Sequence, residues 1–159
     1  MRVGVVEIDL QHCDVSHPDA VVCLDGYFRE IDSRFTTGFD RSRGGAAGDA
    51  AYAPPTGAFL IARMDGKAVG CGGVAFRDGG YAEIKRMWVS RDARGLGVGY
   101  QILLGLELVA QNAGFTRARL DSNRALTEAH ALYARCGYVE IERYNDNPYA
   151  DLWFEKALP

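Results

Sequence analysis

The stretch RGLGVGY, residues 94–100, lies between a strand-like run at residues 81–89 and a helical pattern that begins near Val98. Its three glycines let the backbone approach a ligand without obstruction from Cβ atoms. Unpaired N–H groups at the start of a helix, together with the positive end of the helix dipole, favour a bound anion such as phosphate. The stretch therefore predicts a phosphate-binding loop, and a tight turn without a ligand is the alternative.

Charges around this loop favour an anion as well. From Lys85 to Arg94 the chain has four basic residues and one acidic residue, a local net charge of +3, whereas the whole chain has a net charge of −3. Two common phosphate motifs do not fit the sequence. A dinucleotide-binding G-x-G-x-x-G would need a glycine in place of Tyr100, and the P-loop string G-x-x-x-x-G-K-[ST] does not occur.

Hydrophobic periodicity on either side of the loop predicts an α/β fold with a mostly antiparallel, twisted sheet flanked by helices. Runs of apolar and β-branched residues predict strands over residues 3–9, 57–64, 67–77, 81–89, 115–121, 138–144 and 150–156. Apolar residues spaced by three and four predict helices over residues 17–35, 98–113 and 125–136. The stripe expected to be buried on the first helix is Val21, Leu24, Phe28, Ile31 and Phe35.

Glycines mark the predicted turns and helix ends. The Asp-Gly pair at residues 65–66 is a strong hairpin signal between two strand-like runs. Gly114 is expected to end the second helix and Gly137 the third. Residues 36–56 contain four Gly, five Ala and two Pro without an apolar period, so a functional or mobile loop is expected there.

Length and composition exclude several classes of protein. A chain of 159 residues suits one domain, residues 1–159, with a core that needs no disulfide or metal, and the Cys and His residues lack zinc-site spacing. A net charge of −3 argues against a nucleic-acid partner. No apolar run suits a membrane span, and Glu7 and Asp9 interrupt the first ten residues, where a signal peptide would be apolar. We therefore expect a cytoplasmic protein that binds neither nucleic acid nor membrane.

The spacing Arg94-x-x-Gly97-x-Gly99, with AEIKRMWV before it and Asn123 and ALYARCGY after it, resembles the GNAT superfamily of acetyl-CoA-dependent N-acetyltransferases. The element order resembles this family over nearly the whole chain, with specific motifs between residues 83 and 137. The resemblance implies a single-domain GNAT-like fold with a splayed central strand pair. It also implies an acyltransferase whose co-substrate is acetyl-CoA.

The resemblance gives individual residues a role in binding acetyl-CoA. The loop from Arg94 to Gly99 would hold the pyrophosphate, backbone groups of Met87 and Val89 would pair with the pantetheine arm, and Asn123 would hydrogen-bond that arm. The residues implied in binding are Met87, Trp88, Val89, Arg94, Gly95, Leu96, Gly97, Val98, Gly99, Tyr100 and Asn123. Many members have Arg or Lys in place of Tyr100, so the resemblance implies a weaker grip on phosphate here.

Two side chains are implied in catalysis: Glu83 near the incoming amine and Tyr133 near the thioester sulfur. The reaction suits both roles: an alkylammonium with a pKa of about 10.4 needs, at neutral pH, a base or a site that lowers its pKa, and the departing thiolate needs a proton donor. A solvent-facing strand glutamate is the alternative for Glu83. For Tyr133 the alternative is a core aromatic on the stripe Ala125, Ala129, Leu132 and Cys136.

The predicted function is acetyl transfer by direct attack to a primary amine of a small molecule, without a metal. Two other readings stay open: a non-catalytic CoA-binding regulatory module, and an enzyme that acetylates a protein N-terminus or lysine. The terminal strand pair, with Trp153 and Phe154, would support a homodimer or pack within the chain.

Charges suggest how an acceptor would be recognised. Residues 139–151 have a net charge of −3, which would attract a cationic amine. Arg34, Arg41 and Arg43 would hold a carboxylate on the other side. Both together would suit a small molecule with an amine and an acid, and solubilising surface charges are the alternative.

Overall fold

Seven strands and three α-helices make up the part of the chain that a computed structural model describes, residues 7–40 and 49–159. The strands are β1 (Asp9–His12), β2 (Gly57–Met64), β3 (Lys67–Arg77), β4 (Tyr81–Val89), β5 (Arg117–Ser122), β6 (Val139–Ile141) and β7 (Leu152–Ala157). The helices are α1 (Pro18–Arg34), α2 (Val98–Asn112) and α3 (Thr127–Arg135). Short 3₁₀ turns occupy Asp49–Tyr52 and Arg91–Ala93.

The strands form one sheet in the order β1-β2-β3-β4-β5-β7-β6. Neighbouring strands are antiparallel except β4 and β5, which are parallel. This parallel pair is joined only at Ala82 with Ala118 and at Glu83 with Arg119, although β4 continues to Val89. The predicted mostly antiparallel sheet with a splayed central pair is confirmed, and the splay opens a cleft in the middle of the sheet.

Local sequence signals set the ends of several elements. The Asp-Gly turn at residues 65–66 has φ angles of 51° and 78°, as a two-residue hairpin turn between β2 and β3 requires. Gly114 follows α2 with a φ of 93°, and the next amide, of Phe115, donates to the carbonyl of Ala110. Gly137 ends α3 in the same way. These three glycine predictions are confirmed.

Helices cover both faces of the sheet. On one face α2 packs against β2, β3 and β4 through Val98, Ile102, Leu103 and Leu106. On the other face α1 and the turn at residues 49–52 form a smaller cluster that contains Ala20, Cys23, Leu24, Tyr52, Phe59 and Cys71. A Cβ on Gly73 would lie 2.6 Å from the ring of Tyr52, so glycine at this position of β3 permits the close contact.

The predicted element order is confirmed, and the helices agree with prediction to within two residues at each end. Of the strand predicted over residues 3–9, residues 3–6 lie outside the described part of the chain, and β1 begins only at Asp9. The prediction that Val21 is buried was wrong: it is 44% exposed, and α1 instead turns Ala20 and Cys23 towards the sheet. No helix within the described residues is long and apolar enough to cross a membrane.

Candidate active site

A cavity of about 720 Å³ opens where β4 and β5 separate. Its walls come from β4, the glycine loop, the start of α2, the end of β5, and the helices α1 and α3. Ten of the predicted site residues line it: Met87, Trp88, Val89, Arg94, Gly95, Gly97, Val98, Gly99, Tyr100 and Tyr133. Glu83, Leu96 and Asn123 do not line the cavity.

The glycine loop leaves backbone amides available to a ligand. Gly95 and Gly97 have φ angles of 80° and 84°, in the left-handed region that favours glycine. Gly97 is the N-cap of α2, no side chain caps this helix, and the first intrahelical bond runs from the amide of Gln101 to the carbonyl of Gly97. The first turn of α2 therefore has the donors and the dipole end that suit an anion.

Arg94 is engaged on both sides of its guanidinium. Its Nε donates to the carbonyl of Val89 at 3.0 Å, and its Nη2 donates to the carboxylate of Glu30 on α1. Arg34, one turn further along α1, lies 3.5 Å from Glu30 and donates to Glu128 of α3 at 2.9 Å. These contacts form one side of the cavity, and they occupy the carbonyl of Val89 that was expected to be free.

On the β4 wall, the indole N–H of Trp88 is buried and has no hydrogen-bond partner among the described residues. Gly26 on α1 permits the ring to lie there, because a Cβ at Gly26 would come within 2.5 Å of it. Within the described ranges, no strand pairs with the β5-facing edge of β4 beyond Glu83. The wall thus offers a buried donor and an open backbone edge to a ligand.

Tyr133 reaches the cavity from α3 and is 8% exposed. Its ring packs against Tyr138 and Phe154, with centroids 6.0 and 5.9 Å away. Burial raises the pKa of Tyr133, and the negative charge of Asp121 raises it further. The hydroxyl of this cavity-lining residue therefore stays protonated through neutral pH and can act as a hydrogen-bond donor.

Asp121, at the end of β5, is a carboxylate on the cavity wall. Its Oδ2 accepts hydrogen bonds from Lys85 Nζ and from Asn145 Nδ2, both at 2.6 Å. Its Oδ1 has only a longer contact, 3.3 Å from Asn147 Nδ2. Because a carboxylate oxygen accepts more than one hydrogen bond, Oδ1 keeps capacity for a ligand.

Glu83 is 3% exposed and lies outside the cavity wall. Its Oε1 accepts two bonds from the guanidinium of Arg77, at 3.0 and 2.8 Å. Its Oε2 accepts from the hydroxyl of Tyr144 at 2.7 Å and from Asn145 Nδ2 at 3.1 Å. Glu83 is therefore neither a solvent-facing residue nor beside Tyr133, and Asn145 connects it to Asp121.

The amide of Asn123 is satisfied within the chain. Its Nδ2 donates to the carbonyl of Tyr149 at 2.8 Å, and its Oδ1 accepts from the amide of Ala125 at 2.9 Å. These bonds hold the turn between β5 and α3. Leu96, at the tip of the glycine loop, is 44% exposed.

A comparison with known families decides the classification. Residues 25–138 match the model of the acetyltransferase (GNAT) family. The chain belongs to the GNAT family. It is therefore an acyltransferase, as the resemblance in its motifs predicted.

Individual GNAT relatives support the match. The chain is 36% identical to an IAA acetyltransferase of Azospirillum brasilense over 110 residues, which are 67% of this chain and 71% of that protein. A GNAT acetyltransferase structure from Staphylococcus aureus has a TM-score of 0.82 and 18% identity, over 96% of this chain and 100% of that one. A Salmonella typhimurium structure with its cofactor acetyl-CoA has a TM-score of 0.73 and 14% identity, over 96% and 95%. At these identities the two structures show the shared fold.

Sequence reasoning missed one wall of this GNAT cavity. Tyr27, Glu30 and Arg34 line it from α1, and their spacing by three and four residues would have revealed a second stripe beside the apolar one. Asp121 was also missed, since nothing local distinguishes it from a surface aspartate on a strand. Among the described residues, no group of three or more His, Cys, Asp or Glu could hold a metal ion.

Two further predictions concern the basic residues that would hold an acceptor carboxylate and the possible homodimer. Arg34 is engaged by Glu30 and Glu128, and Arg41 and Arg43 lie outside the described residues. Trp153 is 8% exposed and donates to Asn145 Oδ1 at 2.9 Å, so it packs within the chain. The homodimer stays a prediction without support from this side chain.

Proposed function

We propose that the cavity binds acetyl-CoA, with the pyrophosphate at the glycine loop and the first turn of α2. The uncapped amides after Gly97, the left-handed glycines and the neighbouring Arg94 support this placement. The volume, about 720 Å³, lies in the range of small-molecule sites. A bound pantetheine arm would also satisfy the unpartnered N–H of Trp88, whose burial without a partner is otherwise unfavourable.

The open edge of β4 would take the pantetheine arm as an added strand, since parallel pairing with β5 stops at Glu83. Met87, Trp88 and Val89 are the residues on that edge, and the carbonyl of Val89 would have to exchange its bond from Arg94. Asn123 would act indirectly, by holding the turn that sets the start of α3.

The reaction that fits this wall is direct attack of an amine nitrogen on the thioester carbonyl carbon. The C–N bond forms, the C–S bond breaks, one proton leaves the amine and one reaches the sulfur. Tyr133 would donate to the departing sulfur, because its hydroxyl is protonated and lines the cavity. Asp121 Oδ1 would accept from the amine, because Asp121 lines the cavity with Tyr133 and this oxygen has spare hydrogen-bonding capacity.

Glu83 would then be a positioning residue. Its position outside the wall would by itself favour a non-catalytic module, but Asp121 supplies the carboxylate that the reaction needs. Asn145 donates to both carboxylates, at 3.1 Å to Glu83 and 2.6 Å to Asp121. Through this shared amide Glu83 would fix the rotamer of Asp121.

A small-molecule acceptor fits better than a protein acceptor. The ring of Phe39, after α1, lies 4.6 Å from that of Tyr149, before β7, and also stacks on Phe28 at 5.8 Å. The amide of Asp40 donates to the hydroxyl of Tyr149 at 2.9 Å. These contacts join the segment after α1 to the segment before β7, and this closure supports a pocket rather than an extended groove for the acceptor.

The observation that carries the proposal is the shared wall of the uncapped α2 start, Tyr133 and Asp121 in one cavity. The test is a thiol-release assay with acetyl-CoA against free amines, amino acids, polyamines, aminoglycosides and peptides, beside calorimetry with acetyl-CoA alone. We expect binding of acetyl-CoA and turnover with a free amine. Turnover with peptides alone would exclude the small-molecule acceptor, and no binding of acetyl-CoA would exclude the site. Cytoplasmic localisation stays a prediction from the sequence.

A further inference from the structure

Arg86 lies at a β-bulge of β4. The register between β3 and β4 shifts between Cys71 and Gly73, and Arg86 has a φ of 59°, in the left-handed region that residues other than glycine rarely adopt. Regular alternation would place Arg86 on the face of Ile84, which packs in the cluster under α2. The bulge instead turns Arg86 and Trp88 to the face of α1. Bulges often re-aim a side chain next to an active site.

The side chain of Arg86 is fixed in place and lines the cavity. Its guanidinium carbon lies 4.7 Å from the ring centroid of Tyr52 and 5.6 Å from that of Phe28. Such cation–π contacts hold the planar group by its faces and leave the N–H groups at its edge for hydrogen bonds. The geometry is that of a guanidinium arranged before a ligand arrives.

Arg86 differs from the other basic residues of the cavity in its counter-ion. Lys85 is paired with Asp121, which is 7% exposed, and Arg94 and Arg34 are paired with Glu30, which is 19% exposed. Arg34 has a second partner in the exposed Glu128, so each of these three has at least one mostly buried counter-ion. The remaining basic residue of the wall, Arg135, is exposed at the end of α3. Arg86 itself is 10% exposed in its side chain. Within the described part of the chain its only ion pair is with Asp49, which is 67% exposed.

A buried guanidinium with a solvent-exposed counter-ion is poorly compensated, because an exposed pair contributes little while burial removes hydration from the cation. We infer that Arg86 binds a carboxylate of the acceptor, so that the substrate class is a small molecule with both a primary amine and a carboxylate, such as an amino acid. Arginine suits this role because its planar fork donates two parallel hydrogen bonds to a carboxylate. The inference rests on the proposed acetyl transfer to a small amine.

The position of Arg86 agrees with this division of the acceptor. Tyr27 on α1 lines the same cavity, and its phenol senses the charges of both Asp121 and Arg86: burial and then Asp121 raise the pKa of Tyr27, and Arg86 lowers it. Asp121 and Tyr133 line this cavity together with Tyr27 and Arg86. An acceptor bound there would place its carboxylate on Arg86 and its amine towards Asp121 and Tyr133.

The test compares matched ligands that differ only in the carboxylate: leucine with 3-methylbutylamine, phenylalanine with 2-phenylethylamine, and tryptophan with tryptamine. Binding to the full chain, with and without CoA, is measured by calorimetry, which needs no turnover, and thiol release from acetyl-CoA is measured in parallel. In the wild type at least one amino acid should bind about 10- to 100-fold more tightly than its amine, as expected for a charge-assisted bidentate contact. Arg86→Gln should remove this preference, and Arg86→Lys should retain only part of it.

Asp49→Asn keeps the test decisive if the Arg86 variants fail to fold, because Asp49 is exposed and competes for the same guanidinium. This variant should lower the Kd of the amino acid about two- to fivefold and leave that of the matched amine unchanged. Equal affinity for both members of every pair in the wild type would overturn the inference, as would an Asp49→Asn variant that shifts neither. If plain amines are acetylated as well as the matched amino acids, the carboxylate contact is wrong and the proposed acetyl transfer stands. If amino acids bind more tightly than their matched amines but no amine releases thiol, the carboxylate contact stands and the proposed acetyl transfer to a small amine is wrong.

Discussion

Arg94 of the glycine loop and Glu30 of helix α1 are joined by an ion pair across the mouth of the cavity. The guanidinium expected to meet the pyrophosphate of acetyl-CoA thus already has a protein counter-ion. Its side chain is 39% exposed, so solvent screens the pair. Binding of a phosphate at this place therefore exchanges one anion for another rather than filling an empty position.

This exchange sets the size of the effect of Arg94→Ala. A hydrogen bond to a charged phosphate contributes about 1.5 to 3 kcal/mol to binding. In the wild type, binding also breaks the pair with Glu30, which offsets up to about 1 kcal/mol of this gain. The net loss of about 0.5 to 3 kcal/mol predicts that acetyl-CoA binds about 2- to 150-fold more weakly, with little change in Tm. Calorimetric titration measures this, and unchanged affinity would remove Arg94 from the phosphate site.

Glu30→Gln should act in the opposite direction. The amide keeps the size of the side chain and removes the carboxylate that competes for Arg94. We expect acetyl-CoA to bind about two- to fivefold more tightly at low salt, and the gain to shrink in high salt, where exposed charges are screened. In the double variant Arg94→Ala, Glu30→Gln the gain should vanish. Weaker binding of acetyl-CoA to Glu30→Gln would show that Glu30 contacts the ligand directly.

Tyr133→Phe should lower kcat by about 10²-fold and leave the affinity for acetyl-CoA nearly unchanged, because the ring still packs and only the donor is lost. The matched control is Tyr138→Phe, because Tyr138 packs beside Tyr133 but does not line the cavity, and its hydroxyl donates to Glu107 at 2.8 Å. That variant should lose stability and keep its kcat. Wild-type turnover by Tyr133→Phe on a true acceptor would make Tyr133 a core residue.

The glycine loop and Tyr133 could be predicted because their signals are local. Three glycines before an apolar helical pattern define a helix start wherever the helix packs, and the resemblance to the GNAT family implied Tyr133 through the local motif ALYARCGY. Both line the cavity. Local periodicity, the Asp-Gly turn and the glycines at helix ends likewise predicted the element order.

The positions of Asp121 and Arg86 on the cavity wall could not be predicted, because they depend on pairing between distant strands. The resemblance implies a splayed strand pair but not that β4 and β5 part directly after Glu83, and this position places Asp121 rather than Glu83 on the cavity wall. The bulge opposite Gly72 is equally hidden, and it moves Arg86 to the other face of β4. Alternation along a strand predicts a face only while the register holds.

Asp121→Asn should reduce kcat/KM for the acceptor by about 10²-fold if Asp121 receives the proton of the amine. The variant also leaves the mostly buried Lys85 without its main partner. We expect a loss of stability of about 3 kcal/mol, the low end for breaking a buried pair, because Glu83 Oε2 still lies 3.9 Å from Lys85 Nζ.

The double variant Asp121→Asn, Lys85→Met separates the two effects. It removes the unpaired cation, so chemical denaturation should show that stability recovers, whereas activity should stay low. Recovery of activity together with stability would mean that Asp121 serves only to pair Lys85.

Tyr52→Phe tests how buried tyrosines couple stability to pH. The hydroxyl of Tyr52 is buried without a hydrogen-bond partner among the described residues. Burial raises the pKa of Tyr52 to about 12, an effect that the charge of Arg86 only partly offsets.

The unfolded chain, with a tyrosine pKa of about 10, therefore loses the Tyr52 proton at lower pH than the folded chain. The contribution of Tyr52 to the unfolding free energy should be constant below about pH 10 and fall by about 1.4 kcal/mol per pH unit between about pH 10 and 12. In Tyr52→Phe the fall between about pH 10 and 12 should be shallower by that amount, with stability at pH 7 equal or higher, because no satisfied group is lost. Urea unfolding at each pH measures this, and identical slopes in both proteins would show that Tyr52 ionises equally in the folded and unfolded chains.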